Sequence, residues 1–140
     1  TSLQKSIKNR KPELMTKIEG IRIAPTHLML DAYFGDDVEA IGEEIDKRYD
    51  YDFDDQHYRT FYEVMRERKG FAHQVVDEDG MLRLIMWVLD PNDLVTISHE
   101  IIHVTWYVQY LSGFRFSFDA QEIQVYLHDY VMEQILKSFR

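Results

Sequence analysis

The stretch from Leu94 to Ser112 constrains this chain most, because one helix there must meet two opposed demands. At about 100° per residue, Leu94, Ile97, Ile101, Val104, Val108 and Leu111 share one side, an aliphatic stripe suited to a core. Thr96, His99, His103, Trp106 and Tyr110 turn to the opposite side, with Glu100 on the flank. Asn92 or Asp93 can cap the start, and Gly113 provides a left-handed stop. Such a helix needs an apolar layer beneath it. Met81 to Leu89 is a nearly unbroken apolar run, the pattern of a strand covered on both faces, with Arg83 as an exception near a hairpin end. Asp79-Gly80 predicts a type I′ turn joining that strand to Phe71–Val76.

Upstream, Ile21-Arg22-Ile23 and Leu28-Met29-Leu30 read as short strands flanking a bend at Pro25. Gly35-Asp36-Asp37 opens a helix with Val38, Ile41 and Ile45 on its inner face. Asp50-Tyr51-Asp52-Phe53-Asp54-Asp55 resembles the start of a calcium loop. It lacks the glycine and the closing glutamate that such a loop needs, so it reads as an acidic solvated loop. Residues 56–69 predict a second helix with Tyr58, Phe61, Tyr62 and Met65 inward. Asp119 can cap a last helix over Ala120–Ser138. Strands and a helix, then a hairpin, then two long helices make an α+β domain with a short mixed or antiparallel sheet.

A length of 140 residues predicts one domain, and 45% hydrophobic with 14% aromatic content predicts a packed one. No cysteine is present, which excludes disulfides, thiolate metal sites and cysteine nucleophiles. No apolar run reaches the length of about 18 residues that a membrane helix needs, and the polar first residues predict no signal peptide. The net charge of −9 is uneven: five cations in residues 1–17 face Glu13 alone, a basic N-terminal arm ahead of an acidic domain over residues 18–140. An acidic body argues against nucleic acid as partner. A peptide or protein substrate, and possible contact of the arm with an acidic protein, remain the expected partners.

His99-Glu100-Ile101-Ile102-His103 spells H-E-x-x-H. Histidines at i and i+4 point the same way on a helix, and two imidazoles so placed suit a tetrahedral Zn²⁺. The glutamate between them is placed to take a proton from an activated water. Glu122 is the candidate third ligand, 19 positions after His103. The same residue also closes a capping box with Asp119, and both roles stay open here. Asp119 and Asp129 are fallback oxygen ligands, and Asp129 is equally a partner for a ligating histidine. Tyr107, Tyr110, Tyr126 and Arg115 are candidate transition-state donors, and Trp106 a candidate pocket wall. His57, His73 and His128 read as surface, strand or core histidines.

With an apolar strand before it and a helix carrying Glu122 after it, this motif resembles the zincin metallopeptidases, in their gluzincin branch. The layout is also similar to small zincin-like proteins encoded by bacteriophages: H-E-x-x-H, then Gly113, then Glu122 followed by Tyr126-Leu127. The resemblance covers about residues 80–132. It implies a zincin-like domain, with Zn²⁺ held by His99, His103 and Glu122 and with Glu100 as general base. Peptide hydrolysis would follow, in the cytoplasm, or in a host cytoplasm or virion if phage-encoded. Its counterpart is a non-catalytic protein of that fold, a phage structural or assembly component with a structural or vestigial metal site. One departure is Tyr126, which stands where thermolysin-like enzymes carry an aspartate that orients a ligating histidine.

Overall fold

The computed structural model describes residues 16–24, 26–51, 59–113, 117–118 and 120–139. Its strands are β1 (Thr16–Arg22), β2 (Met29–Phe34), β3 (Tyr49–Tyr51), β4 (Gly70–Asp77) and β5 (Leu82–Val88). The helices among the described residues are α1 (Val38–Arg48), α2 (Phe61–Met65), α3 (Leu94–Leu111) and α4 (Gln121–Ser138). The strands form one mixed sheet in the order β1-β2-β5-β4-β3, parallel only between β2 and β5. The domain is therefore α+β, as the element order predicts. No described helix is long and apolar enough to cross a membrane.

Side chains alternate across a strand, so β2 and β5 each feed two cores. Leu30, Ala32, Phe34, Leu84, Met86 and Val88 meet Ile97, Ile101, Val104 and Val108 of α3 and Leu127, Val131 and Ile135 of α4. On the other face Tyr33, Ile85 and Trp87 meet Ile41 and Ile45 of α1 and Phe61 of α2. The sheet is thus the middle of three layers. Leu84 to Val88 are apolar in both registers because both registers are buried, whereas Met81 is exposed at the turn.

Several local expectations change. Thr16 and Lys17 belong to β1, inside the segment read as an arm. Residues 1–15 lie outside the described set, as do 52–58, which hold most of the acidic loop and the first three residues of the expected second helix. What the structure describes of that helix is Phe61–Met65, capped by Thr60 through the Glu63 N–H. The β4–β5 turn is not type I′. That turn needs two left-handed residues, and here Gly80 (φ 77°) is one while Asp79 is not. Leu94 is exposed rather than part of the stripe, because it sits in the first turn of α3. Asp93 is the cap of α3, accepting from the Thr96 N–H and hydroxyl. Ala120 occupies the cap position of α4 with no side-chain hydrogen bond, and Asp119 lies outside the described residues.

Arg83 has a partner that periodicity does not reveal. Asp31, fully buried on the neighbouring β2, accepts from Arg83 Nε at 3.0 Å and Nη2 at 2.7 Å. It also accepts from the Tyr49 hydroxyl and the Gly20 N–H. Tyr49 Oη lies 3.0 Å from Tyr33 Oη, which accepts from Arg48, and Arg48 pairs outward with Glu19. Burial alone would push the Asp31 carboxyl up, but Arg83, Tyr49 and Gly20 together hold it below its usual range. A carboxyl lowered by folding stabilises the fold fully above its unfolded value of about 3.9. That contribution declines as pH falls below this value and is gone once pH passes the folded value. Asp31→Ala leaves Arg83 and Tyr49 without their acceptor and is expected to cost about 3–5 kcal/mol in urea unfolding at pH 7. The gap between wild type and variant should shrink when both are unfolded at pH 3.

Candidate functional site

The histidine pair of α3 lies at the rim of a cleft of about 570 Å³ between that helix and the start of β4. One wall is helical, with Thr96, His99, Glu100, His103 and Tyr107. The other is the chain from Arg68 through Gly70 into β4. Helix and strand approach closely because residue 70 lacks a side chain. A Cβ there would meet Trp87 O at 2.9 Å, Thr96 Cγ2 at 3.0 Å and Glu100 Cγ at 3.1 Å. A glycine in a strand often marks this kind of approach, and that was the available signal for a residue the motif search missed.

The two imidazoles converge. His99 Nε2 and His103 Nε2 are 3.3 Å apart, with the rings edge to face, and Trp106 packs edge-on against His103. Two nitrogens at 2.0–2.1 Å from a tetrahedral ion stand about 3.3–3.4 Å apart. The pair therefore fits a divalent cation in both donor type and separation. Burial, then the neighbouring His99, lowers the His103 pKa from its ordinary value. Its neutral, ligating form thus persists to lower pH.

Glu100 is not on an open flank, as the helical wheel suggests, but 6% exposed beneath the pair. Its Oε1 lies 3.8 Å from His99 Nε2. Burial pushes its carboxyl above the usual range, against the pull of His99 and then Arg68. Tyr107, on the same cleft, is also pushed up, by burial and then by Glu100, so its hydroxyl stays protonated.

The other sequence candidates do not join this group. Glu122 is exposed in the first turn of α4. It stands about 140° round that helix from Leu127, a residue of its buried stripe. His128 of α4 meets Ser98 of α3 at 2.9 Å, on the flank of α3 opposite Glu100, so α4 borders the helix on the far side from the cleft. Asp129 is largely exposed beside its neighbour His128. Tyr126 is exposed and stacks on Tyr130, and Tyr110 is exposed. Arg115 lies outside the described residues.

Among the described residues, no group of three or more His, Asp or Glu is placed to hold a metal. Compared with family models, curated proteins and solved structures, the chain matches none. The resemblance to zincin metallopeptidases of the gluzincin branch, and to their phage-encoded relatives, is therefore corrected. That layout requires a third ligand converging on the histidine pair, and the described residues do not supply it.

Gly70→Ala tests whether the cleft depends on this close approach. Forcing a methyl group against Trp87 O and Glu100 is expected to cost about 1–3 kcal/mol, read from urea unfolding. A change within about 0.5 kcal/mol would mean that helix and strand separate freely here.

Proposed function

We propose that the cleft is the active site of a divalent-metal-dependent hydrolase, with Zn²⁺ the best-suited ion and a peptide or amide bond the substrate. The observation that carries the reading is the 3.3 Å convergence of two Nε2 atoms directly above a buried carboxylate. The proposal rests on that arrangement and not on kinship.

His99 and His103 would hold the cation, with the remaining positions left to solvent. When bound, it supplies Lewis acidity toward a water and a substrate carbonyl. Glu100 would take a proton from the attacking water and return it to the leaving amine. Its raised pKa suits it to both directions of transfer. The protonated Tyr107 hydroxyl is a hydrogen-bond donor for the carbonyl oxygen as charge develops there. Support for an extended substrate comes from β4. Among the described residues β3 pairs only with Val75, Val76 and Asp77. Gly70, packed on Glu100, opens the stretch of β4 along which an extended chain would lie.

A second reading, a protein without catalysis whose metal site is vestigial, is favoured by one observation: among the described residues only two ligands are assembled, and catalytic zinc sites carry three.

Tag-free protein is expected to take up one equivalent of Zn²⁺, read by metal analysis after dialysis, and His99→Ala or His103→Ala should abolish uptake. Glu100→Gln should keep the metal while hydrolysis of a peptide mixture falls by about 10²–10⁴-fold. Hydrolysis unchanged in Glu100→Gln removes the mechanism. Metal uptake with no hydrolysis in the wild type selects the second reading.

A further inference from the structure

We propose that the Arg68–Lys69 end of the cleft is a carboxylate subsite, taking an acidic side chain or a free C-terminal carboxylate of a peptide. This deepens the hydrolase reading and rests on it for the identity of the ligand as a peptide.

Most of the positive charge in the described residues is neutralised by a partner. Lys17, Lys47, Arg48, Arg59, Arg83 and Lys137 are each ion-paired. Arg22 donates to the Thr26 carbonyl, and Arg66 lies over the Tyr62 ring. Among the described lysines and arginines that leaves Arg68 and Lys69, whose side chains have no ion pair, hydrogen bond or ring contact. They are adjacent, and both line the cleft with His99, Glu100 and His103. In a chain of net charge −9, two adjacent cations without an ion pair on the wall of one cleft leave positive charge there for a ligand.

Three acids near this pair are engaged elsewhere, and none of the described acids around it forms an ion pair with Arg68 or Lys69. Asp93, whose charge acts on Lys69, holds the N-terminus of α3 through the Thr96 N–H and hydroxyl. Asp37, across a neighbouring hollow from Arg68, caps α1 through the Ala40 N–H. Glu100 feels Arg68 but is buried under the histidine pair and forms no ion pair with it. An arginine fork and a lysine ammonium together match a carboxylate, the arginine in two-point fashion. Lys69 precedes Gly70, the residue packed on Glu100, so a carboxylate bound there lies close along the chain wall to the proposed base. The subsite therefore selects acidic or C-terminal substrates against the repulsion of the acidic body.

The test uses the full chain in EDTA and three N-acetylated tetrapeptides, with binding followed by NMR. One carries glutamate and a C-terminal amide, the second glutamine and an amide, the third glutamine and a free C-terminus. The expected result is that a carboxylate peptide binds about tenfold more tightly than the neutral one, with shifts at Gly70 and His103. A gap for the first peptide assigns the side chain, and a gap for the third assigns the terminus. The gap is expected to collapse in the Arg68→Gln/Lys69→Gln double variant. Equal affinity for all three peptides overturns the subsite, and so does absence of binding or a gap that survives the double variant. Hydrolysis is assayed separately with Zn²⁺. A gap without hydrolysis sinks the hydrolase reading and keeps the subsite, whereas hydrolysis without a gap does the reverse.

Discussion

Helix α3 lies against β4 at a point where a methyl group would not fit, and the chemistry of the cleft follows from that contact. The approach at Gly70 takes Glu100 out of water while leaving His99 and His103 at the rim. A side chain at position 70 would lift the helix, re-expose the carboxylate and return its proton affinity to the ordinary range. The sheet supplies the rigidity for so tight a contact. β5 is buried on both faces, and α3 packs on β4 and β5 together, so the helix cannot rock on one strand alone.

Two buried carboxylates of this domain show what burial does under opposite conditions. Asp31 is surrounded by donors: a two-point arginine, a tyrosine hydroxyl and a backbone N–H. Its charged form is favoured despite full burial, and it joins β2 to β5 and β3 and to the bulged strand β1. Glu100 has no such set. It has one histidine nitrogen at 3.8 Å and the distant pull of Arg68, and burial wins. The first arrangement is a fastening of the sheet. The second is a carboxylate whose neutral form burial favours, at some expense to the stability of the fold.

The motif helix was legible in the sequence because its pattern is strong and local. Ile97, Ile101, Val104 and Val108 sit at helical spacing, Asp93 caps them, and the histidines fall opposite. The covered strand Leu82–Val88 was legible for the same reason. What the sequence did not disclose depends on pairs far apart along the chain. Nothing local tells that Arg83 faces Asp31, 52 residues away, or that β2 and β5 run parallel at the centre. The depth of Glu100 was hidden because the wheel gives direction and not the distance to the opposing wall, which is set by Gly70. Glu122 failed as a third ligand for a related reason. Spacing counts residues along two helices, whereas its placement depends on which flank of α3 receives α4, and the Ser98–His128 contact puts α4 on the flank away from Glu100.

The histidine pair and the buried carboxylate must also be linked in energy. A proton held at His99 Nε2 stands within 4 Å of Glu100 Oε1 in a partly dry cleft, and a cation bound to that nitrogen would act on the carboxylate in the same sense. Such a charge favours the ionised carboxylate, and the ionised carboxylate favours the charge by the same amount. Loading the pair therefore draws Glu100 back toward the range in which it accepts protons. Conversely, a protonated Glu100 weakens whatever cation the pair holds. Arg68 works on Glu100 in the same direction from the opposite wall. On the proposed subsite reading, a carboxylate bound at Arg68 would weaken that pull and raise the proton affinity of Glu100. Such a coupling needs no moving part, because the charges share one cleft.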